Sequence, residues 1–477
     1  MPPPTRLPAV LTRVMWAGFG LAVALAFFLK GETWSIDPYI QVDGLTQVMA
    51  VVVTFVSGIV HSFSRRYMAG ARHLRSFYGR LFSLSVVVLL LTATEHVVVF
   101  LALWTVMGWL LASLIGHIRR WPEAQASARF ARRMFLAGSG ALAVSFALLV
   151  HSSGAWTVSG FVDVLSALPR VVTTISVSLI VVAAMMQSAL VPFHRWLLSS
   201  MTAPTPVSAF MHAGLVNAGG VLLARFSGIV FETDAVVLLV FFVGAVTALA
   251  GQAWALVQTN VKRQLGCSTT AQMGFMVMQF GLGFGAAGIA HLILHGFYKA
   301  YLFLASGSVV ESTSPPQARP NPAGWASTLS SLVVAVAAGF LFAWLTGKSV
   351  LALDGGTLLV FFVVLAVLHA TRTLLRRTGL PARTRAWALP FVLLPAILMY
   401  AAVYKGVAWM LAGTGLLAFG TPLTPLHWGI AAVFTFVYVG IDRGWHHSST
   451  RLYVLLMNTS QPVSSTLLTR RDRYHVH

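Results

Sequence analysis

Apolar residues along this chain gather in long blocks; they neither alternate nor keep a narrow helical stripe. Blocks of roughly 18 residues or more, divided by short polar stretches, each reach the length a helix needs to cross a bilayer. They predict spans at 14–30, 42–62, 79–94, 96–117, 132–151, 171–190, 205–226, 236–257, 267–286, 287–306, 327–346, 356–372, 387–404 and 425–441. That is about fourteen helices by the same length criterion. Segment 406–420 reads as a short or re-entrant addition. The longest hydrophilic pieces, 307–326 and the tail from 442, are too short for a core, so no soluble domain is expected. The predicted class is all-α, a polytopic membrane protein.

Composition strengthens this reading. The 477 residues are 57% hydrophobic and 9% charged, with a mean hydropathy of +0.80. A soluble chain of this size cannot hide that much apolar surface. The formal charge of +20 suggests nucleic acid until its placement is read. With loops assigned alternately to two sides, one side takes 26 of the 32 basic residues and 4 of the 12 acids. The other takes 5 bases and 8 acids, and Lys299 lies in mid-span. This is the positive-inside pattern, which makes the basic side cytoplasmic and puts both termini there. The basic face suits anionic headgroups or an acidic cytoplasmic partner. The first apolar run lacks a small-residue cleavage site and reads as a retained span.

Candidate chemistry is sparse and concentrated. His291, His295 and Lys299 follow one another at four-residue spacing in an otherwise apolar segment. On a helix they stack along one face, about 6 Å apart. Ionisable groups in a span mark proton or cation routes by default. Pro192, Pro204 and Pro206 are either span caps or signs of a helix broken around an ion path. The single cysteine, Cys267, excludes an internal disulfide and a cysteine metal cluster and reads as filler. His446, His447, His475 and His477 read as solvated tail residues. No clustered set of zinc ligands is visible, so no metal site or cofactor is expected in this chain.

Several ordered motifs carry a resemblance. They are Asp43-Gly-Leu-Thr, Thr54-Phe-Val-Ser57 followed by His61, Pro192 with Trp196-Leu197, and Ala203-Pro-Thr-Pro-Val-Ser-Ala209 with His212. Further on come Leu223-Ala-Arg225, Lys262-Arg263, and the His291/His295/Lys299 helix ending Leu304-Ala-Ser-Gly-Ser308. Over roughly residues 43–312 the chain resembles the antiporter-like membrane subunits of respiratory complex I and the multisubunit Na+/H+ antiporters. The resemblance implies two five-helix units of inverted topology, each with a broken helix. The organisation it implies is N-terminal helices in 1–78, the first unit in 79–226, the second in 236–372, C-terminal helices in 387–441 and a basic tail in 442–477.

The departures from that family narrow the reading. Trp104 is followed by Thr105 where the family has glutamate. Five residues before Pro192 stands Gln187 where it has lysine. After Trp196-Leu197 comes Leu198, not the usual aspartate motif. A third family lysine has no counterpart within 327–346, and the nearest, Lys348, lies at the outer end. Threonine and glutamine hold water but do not titrate near neutral pH. The expected ion pathway is therefore Lys299 as protonation switch, His291 and His295 as relay, and His212, Gln187, Thr105, Lys262 and His61 as secondary members. Glu32, Asp37, Asp43, Glu95, Glu232 and Asp234 would concentrate cations at the outer mouth.

Missing the glutamate–lysine pair, short at its C-terminus and basic on one face, the chain looks like the membrane subunit (DabB) of the two-component DAB inorganic-carbon system. That resemblance implies a cation (H+ or Na+) conducting subunit in a bacterial inner membrane. It further implies a large soluble DabA-like partner of zinc β-carbonic anhydrase type that converts CO2 to bicarbonate and holds the zinc. The alternatives are a proton-pumping subunit of a complex I-like or hydrogenase-linked complex, and a non-conducting membrane anchor.

Overall fold

The computed structural model describes residues 6–310, 325–377, 382–414, 416 and 423–466. Helix α1 (Leu7–Leu29) leads into a short hairpin, β1 (Trp34–Ile36) paired antiparallel with β2 (Ile40–Val42). Then follow α2 (Gly44–Tyr67), α3 (Leu74–Ala93), α4 (Val97–Ile115), α5 (Pro122–Ser153) and the short α6 (Val158–Asp163). Helix α7 (Arg170–Gln187) is succeeded by α8 (Arg195–Ser199), α9 (Thr205–Ala213), α10 (Ala218–Arg225) and α11 (Ser227–Val230). The second half holds α12 (Asp234–Val257), α13 (Val261–Gly281), α14 (Gly285–Leu304), α15 (Trp325–Thr346), α16 (Gly355–Arg377), α17 (Ala382–Met410) and α18 (Pro425–Asp442). Two short helices, α19 (Trp445–Ser448) and α20 (Thr450–Thr459), close the described chain.

Twelve helical stretches are long and apolar enough to cross a membrane, with α9 and α10 counted as one. Adding α13 and α14, which are of similar length, restores the predicted fourteen. These two fall short on apolarity because they carry Lys262, Arg263, Gln264, Ser268, Thr269, Thr270, His291, His295 and Lys299. Most residues of each helix are nonetheless buried. Segment 406–410 simply continues α17; most of 415–422 lies outside the described residues.

The most enclosed spans are α2, 72% buried over its apolar window, and the α9–α10 stretch, 89% buried. By contrast α1 is 17% buried and lies at the periphery. Two interruptions meet at the centre. Helix α7 stops at Gln187, and the chain turns through 188–194, with Ala189 at φ +52°, before α8 begins. Proline at 192 lacks the amide that a continuing helix needs. The second interruption is the 3-10 turn Leu215–Asn217 between α9 and α10. Gln187 Nε2 donates to Leu215 O at 3.2 Å and Ser188 Oγ to Val216 O at 2.6 Å. Side chains at the first break thus satisfy carbonyls freed at the second, as irregular backbone at depth requires. Trp196 Nε1 reaches back to Met186 O at 2.8 Å and caps the first half-helix. Helices α12, α13, α14, α15 and α16 each run without such an interruption. Their interiors hold no proline.

Ends that the alternating topology puts on one side do meet. Arg225, closing α10, pairs with Asp43 before α2 at 2.6 Å and with Glu95 between α3 and α4 at 3.4 Å. Arg372 on α16 pairs with Asp442 at the end of α18 at 2.6 Å, on the basic side. The first cluster corrects an expectation. Asp43 and Glu95 do not face the outer solvent as cation attractors; they are 7% and 3% exposed and already paired. Carboxylates this deeply removed from water need a partner, and Arg225 is it.

Candidate functional site

The site lies where α9, α13 and α14 converge. Helix α14 approaches the end of α9 at Gly296, where an added Cβ would come within 2.5 Å of Ala213 O. That contact brings the polar face of α14 against the interrupted helix. Lys299, 1% exposed, points across to α13. Its Nζ donates to Leu265 O at 3.1 Å and to Ser268 Oγ at 3.0 Å. Among the described residues no carboxylate pairs with it. Two neutral acceptors satisfy both N–H bonds of a neutral amine and two of the three of an ammonium. The pocket thus accommodates either protonation state.

His212, in the last turn of α9, joins the same network from the other side. Its ring stacks on Phe303 of α14, centroids 4.2 Å apart at 18°. Its Nδ1 lies 3.1 Å from Thr269 Oγ1, and that hydroxyl donates to Leu265 O at 2.9 Å. Because the threonine proton is already engaged, His212 Nδ1–H is the donor in that pair. The ring's Nε2 is left buried without a partner. Leu265 O therefore serves both Lys299 and Thr269, and one carbonyl joins the amine to the imidazole.

One turn up α14, His295 is 6% exposed with both ring nitrogens unpartnered. His291 follows, its ring 6.1 Å from that of His295 at 24°. The spacing agrees with the ladder read from the sequence. His291 also borders a cavity of about 500 Å³ among α12, α13, α14, α16, α17 and α18. Gln252, Gln272, Gln279 and Tyr400 line it too. Gln279 donates to Tyr400 OH at 3.4 Å, while its Oε1 is buried and unpartnered. Unpaired buried nitrogens and oxygens at the wall of so roomy a cavity are natural partners for water.

The remaining predicted residues divide. Gln187 is drawn into the centre through Leu215 O, two residues beyond Ala213, where α14 packs. Lys262 sits half-buried in the first turn of α13, the helix whose Leu265 O and Ser268 Oγ accept from Lys299. Thr105 stands apart on α4, its hydroxyl bonded to Leu101 O of its own helix at 2.8 Å. His61 is fully buried on α2 with Nδ1 2.8 Å from Ser57 O, and it packs beside Tyr78 and Phe82 of α3. Lys348, between α15 and α16, lies 3.8 Å over the Phe284 ring. Burial brings its amine down to about 8, with Asp354 opposing the shift. The sequence reading missed Ser268 and Thr269. The run Ser268-Thr269-Thr270 inside a span, two turns after Lys262-Arg263, was the available signal.

Crossing helices with matched interruptions and a buried amine–imidazole network describe an antiporter-like transport subunit. Residues 93–369 match the family model described as NADH:quinone oxidoreductase/Mrp antiporter, TM, and residues 28–78 match complex I chain 5 N-terminus. The chain belongs to this NADH:quinone oxidoreductase/Mrp antiporter family. It is 36% identical over 292 residues to probable inorganic carbon transporter subunit DabB1 of Halothiobacillus neapolitanus, covering 59% of this chain and 52% of the relative. It is 33% identical over 349 residues to the corresponding DabB subunit of Bacillus subtilis, covering 72% and 68%. Among solved structures, the Mrp complex from Dietzia sp. DQ12-45-1b superposes with a TM-score of 0.57 at 25% identity, covering 96% of this chain and 51% of that one. The chain thus spans between 52% and 68% of the length of these two carbon-transporter relatives.

Proposed function

We propose that this chain is the cation-conducting membrane subunit of an inorganic-carbon uptake complex. H+ or Na+ moving down its gradient through the α9–α13–α14 site energises a soluble DabA-like partner of zinc β-carbonic anhydrase type. That partner docks on the basic face, which is the cytoplasmic face of a bacterial inner membrane with both termini on it. The CO2-hydrating chemistry and the zinc reside in the partner; this chain contributes ion passage and its coupling.

One observation carries the reading: Lys299 is buried with no carboxylate beside it among the described residues, and it is tied through Leu265 O to His212. A passive anchor has no use for such a group, because burying an amine without a counter-charge costs stability and brings an anchor nothing in return. In the proposed cycle His291 takes a proton from the cavity, His295 passes it on, and Lys299 Nζ holds it beside Ser268 Oγ. Gain of charge at Nζ alters what Leu265 O and Thr269 offer to His212, which stands at the end of the interrupted helix. Differential stability of that helix in the two charge states is the coupling a docked partner would sense.

The test replaces Lys299 by alanine in cells that depend on the complex for carbon. Carbon accumulation is expected to vanish while the two subunits still co-purify, and ion flux into proteoliposomes is expected to fall to background. Wild-type accumulation in that variant would refute the assignment.

A further inference from the structure

A second polar cavity lies between the α2–α3 and α4–α5 turns. It measures about 380 Å³. Arg72 and His73 enter from the α2–α3 turn, and His117, Arg119 and Arg120 from the α4–α5 turn. No carboxylate is among its described lining residues. Three arginines around one hollow repel each other unless an anion lies among them.

The walls are fixed in place. Gln125 Nε2 donates to Gly116 O at 2.8 Å and Ile118 O at 3.2 Å, which holds the α4–α5 turn. His117 is 7% exposed and meets the Phe77 ring edge-on at 5.2 Å. Thr205 Oγ1 donates to the Tyr67 hydroxyl at 3.1 Å and ties the opposite rim to the start of α9. The imidazole of His117 is held below its ordinary range, by burial first and then by Arg80, His73 and Arg119. The positive charge of the hollow thus comes from Arg72, Arg119 and Arg120.

Its rim is apolar. Tyr67 and Ile118 are exposed beside the arginines, and Met68 and Ala71 complete that side. Arginine forks beside exposed apolar surface, at the level where spans end, match a phosphate group that carries acyl chains. We propose that this hollow is a binding site for a phosphate-type oxyanion, supplied by the headgroup of an anionic phospholipid from the basic-side leaflet. Arg72, Arg119 and Arg120 would bind the phosphate, and Tyr67 and Ile118 would pack against the first acyl carbons. The site shares no residue with the α9–α13–α14 network and stands whether or not that network conducts.

The test uses the full chain in detergent, titrated with phosphatidylglycerol or phosphatidylcholine and read by native mass spectrometry. The pocket double variant Arg119→Gln/Arg120→Gln is compared with Arg132→Gln/Arg133→Gln, which removes equal charge from exposed positions on α5. Phosphatidylglycerol affinity is expected to fall about tenfold or more in the pocket variant, which loses charged hydrogen bonds to the phosphate. The α5 variant is expected to bind as wild type. Equal loss in both variants would mean diffuse surface attraction and overturn the site. Inorganic phosphate that binds as tightly as the lipid would overturn the headgroup as its source. Arg72→Gln gives a second route should the double variant fold poorly: it is expected to weaken phosphatidylglycerol in the same direction, and unchanged affinity would count against the proposal.

Discussion

At the residue scale, Lys299 is held by acceptors that do not depend on it. Leu265 O also accepts from Thr269, so loss of the amine leaves no orphaned carbonyl. Ser268 is different, because its hydroxyl is half of the amine's support. Ser268→Ala is expected to lower ion flux by roughly tenfold, the order of one hydrogen bond to a charged group. Ser268→Thr should restore most of it, and the thermal midpoint of both should stay near wild type. Flux at wild-type level in Ser268→Ala would remove Ser268 from the site. Lysine and histidine stood out in the sequence because charge is rare in an apolar run. Serine did not, because span hydroxyls mostly bond their own helix, as Thr54 does to Ala50 O and Ser64 to Val60 O. Only the fold shows that Ser268 faces a neighbour.

At the element scale, close crossings set the geometry of the site. Helices α12 and α13 meet at Gly244, Gly251, Gly274 and Gly281, where added Cβ atoms would strike the backbone of the facing helix. Small residues let apolar helices approach in lipid. Gly296 performs this service for α14 against α9, directly after His295 and one turn before Lys299. Gly296→Ala is expected to push α14 away from Ala213 and cost about 1–3 kcal/mol of stability, the usual range for overpacking. Thermal unfolding of the detergent-solubilised chain measures the cost. Flux should fall by more than the loss of folded protein explains, since the ladder moves relative to His212. The helices themselves were legible as apolar blocks, with ends off by up to ten residues, as at Pro122, where polar and charged residues extend α5 beyond its apolar run. The first break was legible only as one of two readings, since Pro192 removes an amide at a span cap as well as at a break. Its mate at Leu215–Asn217 lacks a proline and rests on tertiary hydrogen bonds from Gln187 and Ser188. Local sequence cannot show that.

At the scale of the whole molecule, the acidic side is locked by one cation. Arg225 reaches Asp43, which caps α2 by accepting from Thr46 N at 2.9 Å. It also reaches Glu95, whose other oxygen accepts from Ser159 N at 2.6 Å. A single guanidinium therefore ties the start of α2, the α3–α4 turn, α6 and the end of α10. Charge counting placed these residues on one side but read the two acids as free, since pairing across 182 and 130 residues is invisible in a linear chain. The energetics of such a cluster are asymmetric. Removing one partner strands buried charge at a cost of about 3–5 kcal/mol, whereas removing all of it is often near neutral. Arg225→Gln is accordingly expected to reduce the yield of folded protein and lower its thermal midpoint. Asp43→Asn and Glu95→Gln added to that background should recover much of the loss, because both stranded carboxylates are then gone. Asparagine still accepts from Thr46 N and so keeps the cap on α2. A triple variant no more stable than Arg225→Gln alone would show that the guanidinium acts through packing and not through its charge.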